Sequence, residues 1–228
     1  MKSIGIIPAY NEETSIQATV EACLPFVDEL IVVDDGSVDS THKIAKAIPG
    51  VYAIRHTINR GQGAALRTGT YAALRLDADI IIHLDADGQH DPNQVPDLTR
   101  LIKNNQADVV FGSRFLGQEA KGMPFSRRIL LSAGRWFNIF VQGIPRSVTD
   151  PQSGFRALNA QSARKVAFKQ DRMAHASEIL KLVTRSKLRW QEVPVKVIYT
   201  AESLKKGQKN TDALKIAWQL LLGIFTKS

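Results

Sequence analysis

Five short runs rich in branched apolar residues, Ser3–Ile7, Leu30–Val33, Val51–His56, Ile80–Leu84 and Asp108–Gly112, recur through the first half of the chain. Their length and their Ile and Val content read as strands buried on both faces. Between them lie stretches of helical character: Glu13–Leu24, Ser40–Ala47, Gln62–Leu76 and Pro92–Asn105. The last of these opens well, with Asp91 as N-cap and Pro92 at the first helical position. Strands alternating with helices predict an α/β fold with a mainly parallel sheet flanked by helices on both faces. In such sheets ligands bind beyond the carboxyl ends of the strands. Function is therefore to be sought in the polar clusters that follow each strand.

The strongest cluster is Asp85-Ala86-Asp87-Gly88-Gln89-His90, directly after Ile80–Leu84. Two carboxylates at i and i+2, leaving the end of a buried strand, can converge on one hard cation, and Gln89 or His90 is close enough to add a ligand. Oxygen donors of this kind suit Mg²⁺ or Mn²⁺, which keep several waters and bind substrate phosphates. A calcium loop of the EF-hand type is excluded, because its later ligand positions fall on Asn93 and Pro96. The plain alternative is a surface turn, since Asp and Gly are common turn residues. Asp34-Asp35-Gly36-Ser37 follows a second strand, and Pro8-Ala9-Tyr10-Asn11-Glu12 follows a third. Carboxylates at three strand ends (Glu12, Asp35, and Asp85 with Asp87) can accept hydrogen bonds from ribose and base, while a divalent ion answers a diphosphate. Asn59-Arg60-Gly61-Gln62-Gly63 would bring backbone close to a ligand. It is not a dinucleotide fingerprint, because Leu66 stands at the third glycine position.

The second half differs. Residues 1–100 carry 8 Lys and Arg against 14 Asp and Glu, whereas residues 101–228 carry 22 against 8. An acidic half suits a metal; a basic half suits an anion, a nucleic acid, an anionic membrane, or merely solvent. Phe125–Gly143 reads as one long helix whose polar residues Arg128, Ser132, Arg135, Asn138 and Gln142 form one narrow stripe. Asp212–Phe225 reads as a second helix, apolar around most of its circumference. Both are either core helices or an interfacial pair with Trp136 and Trp218 at headgroup level. No stretch reaches the roughly 20 apolar residues of a spanning helix, and the opening MKSIGIIPAYNEE holds too short an apolar run for a signal peptide. The lone Cys23 allows no internal disulfide and suits a reducing compartment. A soluble or membrane-surface protein is expected, as one domain over 1–228.

Taken in order, PAYNE, DDGS, NRGQGAALRTG, DADGQH, GSRF and DPQSGFRA resemble the family 2 glycosyltransferases of GT-A fold, most closely the dolichol-phosphate mannose synthase and polyprenyl-phosphate glycosyltransferase branch. These motifs span residues 6 to about 157, and Glu192-Val193-Pro194-Val195 continues the match. The resemblance implies a nucleotide-sugar and metal half over 1–112 and an acceptor half over 113–228. Pro8, Ala9, Tyr10, Glu12, Asp35, Asp85 and Ala86 would hold the nucleotide-sugar donor. Asp85, Asp87 and Gln89 would bind Mg²⁺ or Mn²⁺. Arg114, Arg128 and Ser132, with Lys205, would hold a polyprenyl phosphate acceptor, and Asp150 would orient the acceptor or serve as base. With that resemblance, the interfacial reading of the long helix is preferred, which places the protein in the cytoplasm, peripheral at a membrane surface.

In the inverting reaction so implied, an acceptor oxygen attacks the anomeric carbon while a nucleoside diphosphate leaves, its charge neutralised by the metal and nearby cations. A lipid phosphate is already anionic and needs no strong base. One departure concerns the acceptor: the branch carries an arginine near the end of the catalytic domain where this chain has Ile198 or a neighbour, and Lys205, Lys206 and Lys209 are left to supply the charge. A sugar-hydroxyl acceptor is the alternative, and then Asp150 must be a true base. His175 is expected to pack or cap a helix. A nucleic-acid partner is not expected, because the basic half lacks the interleaved aromatics of an RNA-binding sheet.

Overall fold

All five Ile- and Val-rich runs become strands of one sheet in the computed structural model, which describes residues 1–116, 139 and 144–197. In chain order the elements are β1 (Ser3–Ala9), α1 (Ile16–Cys23), β2 (Glu29–Asp34), α2 (Thr41–Ala47), β3 (Val51–Arg55), α3 (Gln62–Arg75) and β4 (Ile80–His83). They continue with α4 (Val95–Lys103), β5 (Val109–Ser113), β6 (Arg156–Asn159), α5 (Ala160–Lys165), α6 (His175–Arg185) and β7 (Trp190–Pro194). The seven strands lie in the order β3-β2-β1-β4-β6-β5-β7. Every pairing is parallel except those of β6, which runs antiparallel to both β4 and β5.

Strand periodicity divides the core between the two faces of the sheet. Ile7 and Ala9 of β1 pack on one face with Ile16 and Val20 of α1 and Val95, Leu98 and Ile102 of α4. Ile4 and Ile6 pack on the other with Ala65, Leu66 and Ala73 of α3 and Ile179, Leu180 and Val183 of α6. Burial on both faces is what near-continuous apolar strands demand.

Two helices start later than the sequence suggests. The N–H groups of Glu12 and Glu13 are bound by Thr41 Oγ1 at 2.8 Å and Asp39 Oδ2 at 3.2 Å, so the chain turns there and α1 begins at Ile16. Asp91 caps as expected, accepting from Asn93 N at 3.0 Å, but it caps a 3₁₀ turn over Pro92–Gln94. Pro96 has no N–H to offer the Pro92 carbonyl, so the α-helix starts afresh at Val95. Strand β6 had no apolar run to announce it. Because it is antiparallel, its amino end enters at the edge where β1 to β4 finish, which brings the 150–155 segment beside Asp85. The helices expected over Phe125–Gly143 and Asp212–Phe225 lie outside the described residues, Ile139 excepted. Among the described residues no helix is long and apolar enough to cross a membrane.

Candidate active site

The carboxyl ends of β1, β2, β3 and β4 open into loops that are bolted to one another. After β1, Asn11 adopts a left-handed φ of 54°. Its N–H donates to Ser37 Oγ at 2.9 Å, and its Oδ1 accepts from Val38 N at 3.0 Å. The Glu12 carboxylate accepts from Ser15 Oγ at 2.6 Å. Pro8 and Ala9 are buried at the end of β1, whereas the Tyr10 ring is 45% exposed at the rim. Asp34 is wholly buried against Arg55 Nε at 3.1 Å. Asp35, also buried, accepts from His56, Arg60 and Gly61.

Asp85 is held from several directions. Gln62 Nε2, at the start of α3, donates to its Oδ1 at 2.8 Å. His90 faces its Oδ2 with Nε2 at 3.5 Å, and His90 Nδ1 accepts from Asp85 N at 3.3 Å. That second contact leaves Nδ1 unprotonated and the ring neutral, in keeping with burial, which pulls the His90 pKa down. The ring stacks on Phe155 with centroids 4.9 Å apart. His90 is thus a neighbour that steadies Asp85. A Cβ on Gly154 would lie 2.6 Å from Asp85 Oδ2, so only glycine leaves this carboxylate its place. Ala86 is buried, and its carbonyl accepts from Thr19 Oγ1 at 3.1 Å.

Asp87 Oδ1 accepts from Gln89 N at 3.1 Å. Burial, then the Asp85 charge, then that of Glu12 push the Asp87 pKa up to about 6. Like charges gathered in a half-desolvated place are stabilised by a cation. Among the described residues no group of three or more His, Cys, Asp or Glu is arranged to hold a metal. Two carboxylates still fit Mg²⁺ or Mn²⁺, which keep waters and take substrate phosphate for the rest of their shell. A structural zinc centre does not fit.

The structure joins Arg114 and Asp150, to which the resemblance assigns separate roles. Arg114 Nε and Nη2 donate to Asp150 Oδ2 and Oδ1 at 2.6 and 2.7 Å, a bidentate pair with Asp150 only 2% exposed. Glu192 of β7 fixes the loop beneath, accepting from Thr149 N at 3.0 Å, Thr149 Oγ1 at 2.9 Å and Asp150 N at 3.1 Å. Arg128, Ser132, Lys205, Lys206 and Lys209 lie outside the described residues.

Sequence reasoning did not single out Gln62, His56 or Arg156. Arg156 is 1% exposed on β6, directly across from His83. Its Nη2 donates to His175 Nε2 at 3.2 Å, while His175 Nδ1 donates to the Arg172 carbonyl at 2.9 Å. Burial pulls His175 down to about 4, so this ring is neutral and packed as expected. An arginine inside the SGFRA run was the available signal, since a charged residue in a buried strand needs a reason.

Comparison with known proteins agrees with this arrangement. The family model described as Glycosyl transferase family 2 matches residues 5–167. A UDP-N-acetylglucosamine–dolichyl-phosphate N-acetylglucosaminyltransferase of Methanococcus voltae is 38% identical, over 95% of this chain and 94% of its own. An undecaprenyl-phosphate mannosyltransferase of Micrococcus luteus is 33% identical, over 73% of this chain and 70% of its own. In three dimensions the chain is similar to glucosyl-3-phosphoglycerate synthase of Mycobacterium tuberculosis, solved with Mn²⁺, UDP and phosphoglyceric acid, with a TM-score of 0.67 and 20% identity over 96% of this chain and 76% of that one. Carboxylates at parallel strand ends, the motif order and these matches together place the chain in glycosyl transferase family 2, as a glycosyltransferase of GT-A fold.

Proposed function

We propose that this glycosyltransferase moves a sugar from a UDP- or GDP-linked donor to a polyprenyl phosphate at a membrane surface, with inversion and with Mg²⁺ or Mn²⁺. The observation that carries this reading is the Arg114–Asp150 pair. The side chain best placed to be a general base has both oxygens bound to a guanidinium. Both oxygens are thus already spent on Arg114 N–H groups, which suits Asp150 to hold that arginine rather than to face an acceptor hydroxyl. A sugar hydroxyl would need its proton removed, whereas a phosphate arrives already ionised. Two relatives are named for dolichyl and undecaprenyl phosphate, the same class of acceptor.

In this account Pro8, Ala9, Tyr10, Glu12 and Asp35 surround the nucleoside, and Asp85, Asp87 and Gln89 would hold the divalent ion. That ion neutralises the charge growing on the leaving diphosphate. Arg114, held by Asp150 through Nε and Nη2, would bring its positive charge to the acceptor phosphate. Arg128, Ser132 and Lys205 complete the phosphate grip. The basic C-terminal half faces anionic lipid, and nucleic acid is not a partner.

The test is Asp150→Asn assayed with a short polyprenyl phosphate. As an orienting residue, Asp150 should lose about ten- to a hundredfold in kcat/KM on this change, the worth of one charge-assisted contact. A loss beyond about a thousandfold, restored by raising pH, would mark Asp150 as a true base and contradict its orienting role.

A further inference from the structure

The ends of β2 and β3 and the start of α3 are joined by one closed circuit of hydrogen bonds. Asp35 Oδ1 meets His56 Nδ1 at 2.7 Å, and His56 Nε2 meets Thr68 Oγ1 at 2.9 Å. Asp35 also accepts from Arg60 N at 3.1 Å, and its Oδ2 accepts from Gly61 N at 2.6 Å. Thr68 lies on α3, and Gly61 is the residue that enters it, so the circuit returns to the helix where it began. A carboxylate accepts, so His56 Nδ1 is the donor to Asp35, and the Thr68 hydroxyl, which can donate or accept, engages Nε2 on the other side of the ring.

This joint has little freedom. The Asp35 and His56 side chains are 4% and 11% exposed. Gly61 has φ 108°, and a Cβ there would lie 2.5 Å from the Asp171 carbonyl oxygen, so the turn is fixed from its outer side as well. Apolar residues could pack such a joint; a satisfied polar circuit fixes one geometry for it. What that geometry holds is the edge of the site. The residue after Gly61 is Gln62, whose amide grips Asp85. The loop after β2 is the one bonded to Asn11, beside Tyr10.

We infer that His56 is a positioning residue of the donor site: with Thr68 it holds Asp35, and Asp35 holds the Arg60–Gly61 turn that forms a wall of the nucleoside pocket. The inference rests on the donor reading above. It assigns His56 no contact with the sugar or with the acceptor.

The experiment compares the wild-type protein with His56→Ala, His56→Asn and Thr68→Val. UDP and GDP binding is titrated by calorimetry with Mn²⁺ present, and KM for donor and acceptor is measured alongside thermal unfolding. His56→Ala should weaken nucleotide binding about tenfold or more and raise the donor KM, with the acceptor KM unchanged. His56→Asn, whose amide nitrogen takes the place of Nδ1, should recover most of the loss. Thr68→Val should show a smaller loss of the same kind, and it carries the test if His56→Ala fails to fold. Wild-type nucleotide affinity in Thr68→Val and His56→Ala would overturn the inference. So would a fall in kcat at constant donor KM, since that reports only lost folded protein. Failure of the wild-type protein to bind either nucleotide would overturn the donor reading, and this inference with it.

Discussion

At the scale of single residues, the carboxylates at the strand ends crowd one another. Burial and the charges of Asp85 and Glu12 hold Asp87 at about 6, against an ordinary 3.8. A raised acid pKa means that the folded state binds the proton more tightly than the unfolded chain does. Its favourable contribution is therefore complete below about pH 3.8 and lost as pH rises through about 6. Two pKa units correspond to about 2–3 kcal/mol, the order of the strain left in the metal-free protein at neutral pH. Asp87→Asn removes that charge, so the metal-free variant should unfold later than wild type at pH 7.5, with the gap closing near pH 4.5. Added Mn²⁺ should stabilise the wild type and leave the variant unchanged, while transfer is lost. Thermal unfolding with and without the ion checks both signs; a variant less stable at pH 7.5 and equally responsive to Mn²⁺ would contradict them.

At the scale of elements, β7 matters to the site through Glu192, which gathers Thr149 and Asp150 across 43 and 42 residues of sequence. Glu192→Gln puts an amide donor where donors already converge, so it should cost about 1–3 kcal/mol of stability. It should also lower turnover by loosening Asp150 under Arg114. Urea unfolding and kcat measured together check this, and an unchanged value of both would refute it. The elements themselves were unequally legible. Strands β1, β2, β4 and β5 were readable because Ile and Val runs such as Ile80-Ile81-Ile82 belong only in a doubly covered sheet; β3, expected to be buried likewise, is instead a half-exposed edge strand with Tyr52 46% exposed. The expected loop residues Glu12, Asp35, Asp85 and Asp87 do stand at carboxyl strand ends. Strand β6 was not readable: Arg156-Ala157-Leu158-Asn159 has no apolar pattern, and its place comes from pairing with β4 and β5. The same holds for Gln62 on Asp85 and Arg114 on Asp150, contacts that topology makes across 23 and 36 residues of sequence. Local pattern records the strand ends but not which distant side chain will meet them.

At the scale of the whole molecule, charge and chemistry run in parallel. The acidic first hundred residues supply the carboxylate loops, and the remainder carries the excess of 22 Lys and Arg over 8 Asp and Glu. A sheet that ends in carboxylates and is followed by a strongly basic half suits the two anionic substrates proposed above. In the function proposed above, the donor's charge would be met through the ion and the acceptor's through arginine and lysine. The central claim is metal-dependent transfer to a lipid phosphate, and one assay meets it directly. The whole chain is incubated with radiolabelled UDP- and GDP-sugars, Mn²⁺, and liposomes containing a polyprenyl phosphate, with a matched set containing the free polyprenol. The account predicts a lipid-linked sugar phosphate from at least one donor, formed only with the phosphorylated lipid and abolished by EDTA. Label passing instead to a sugar hydroxyl, to the free polyprenol, or to the lipid phosphate in full yield with EDTA present would contradict it.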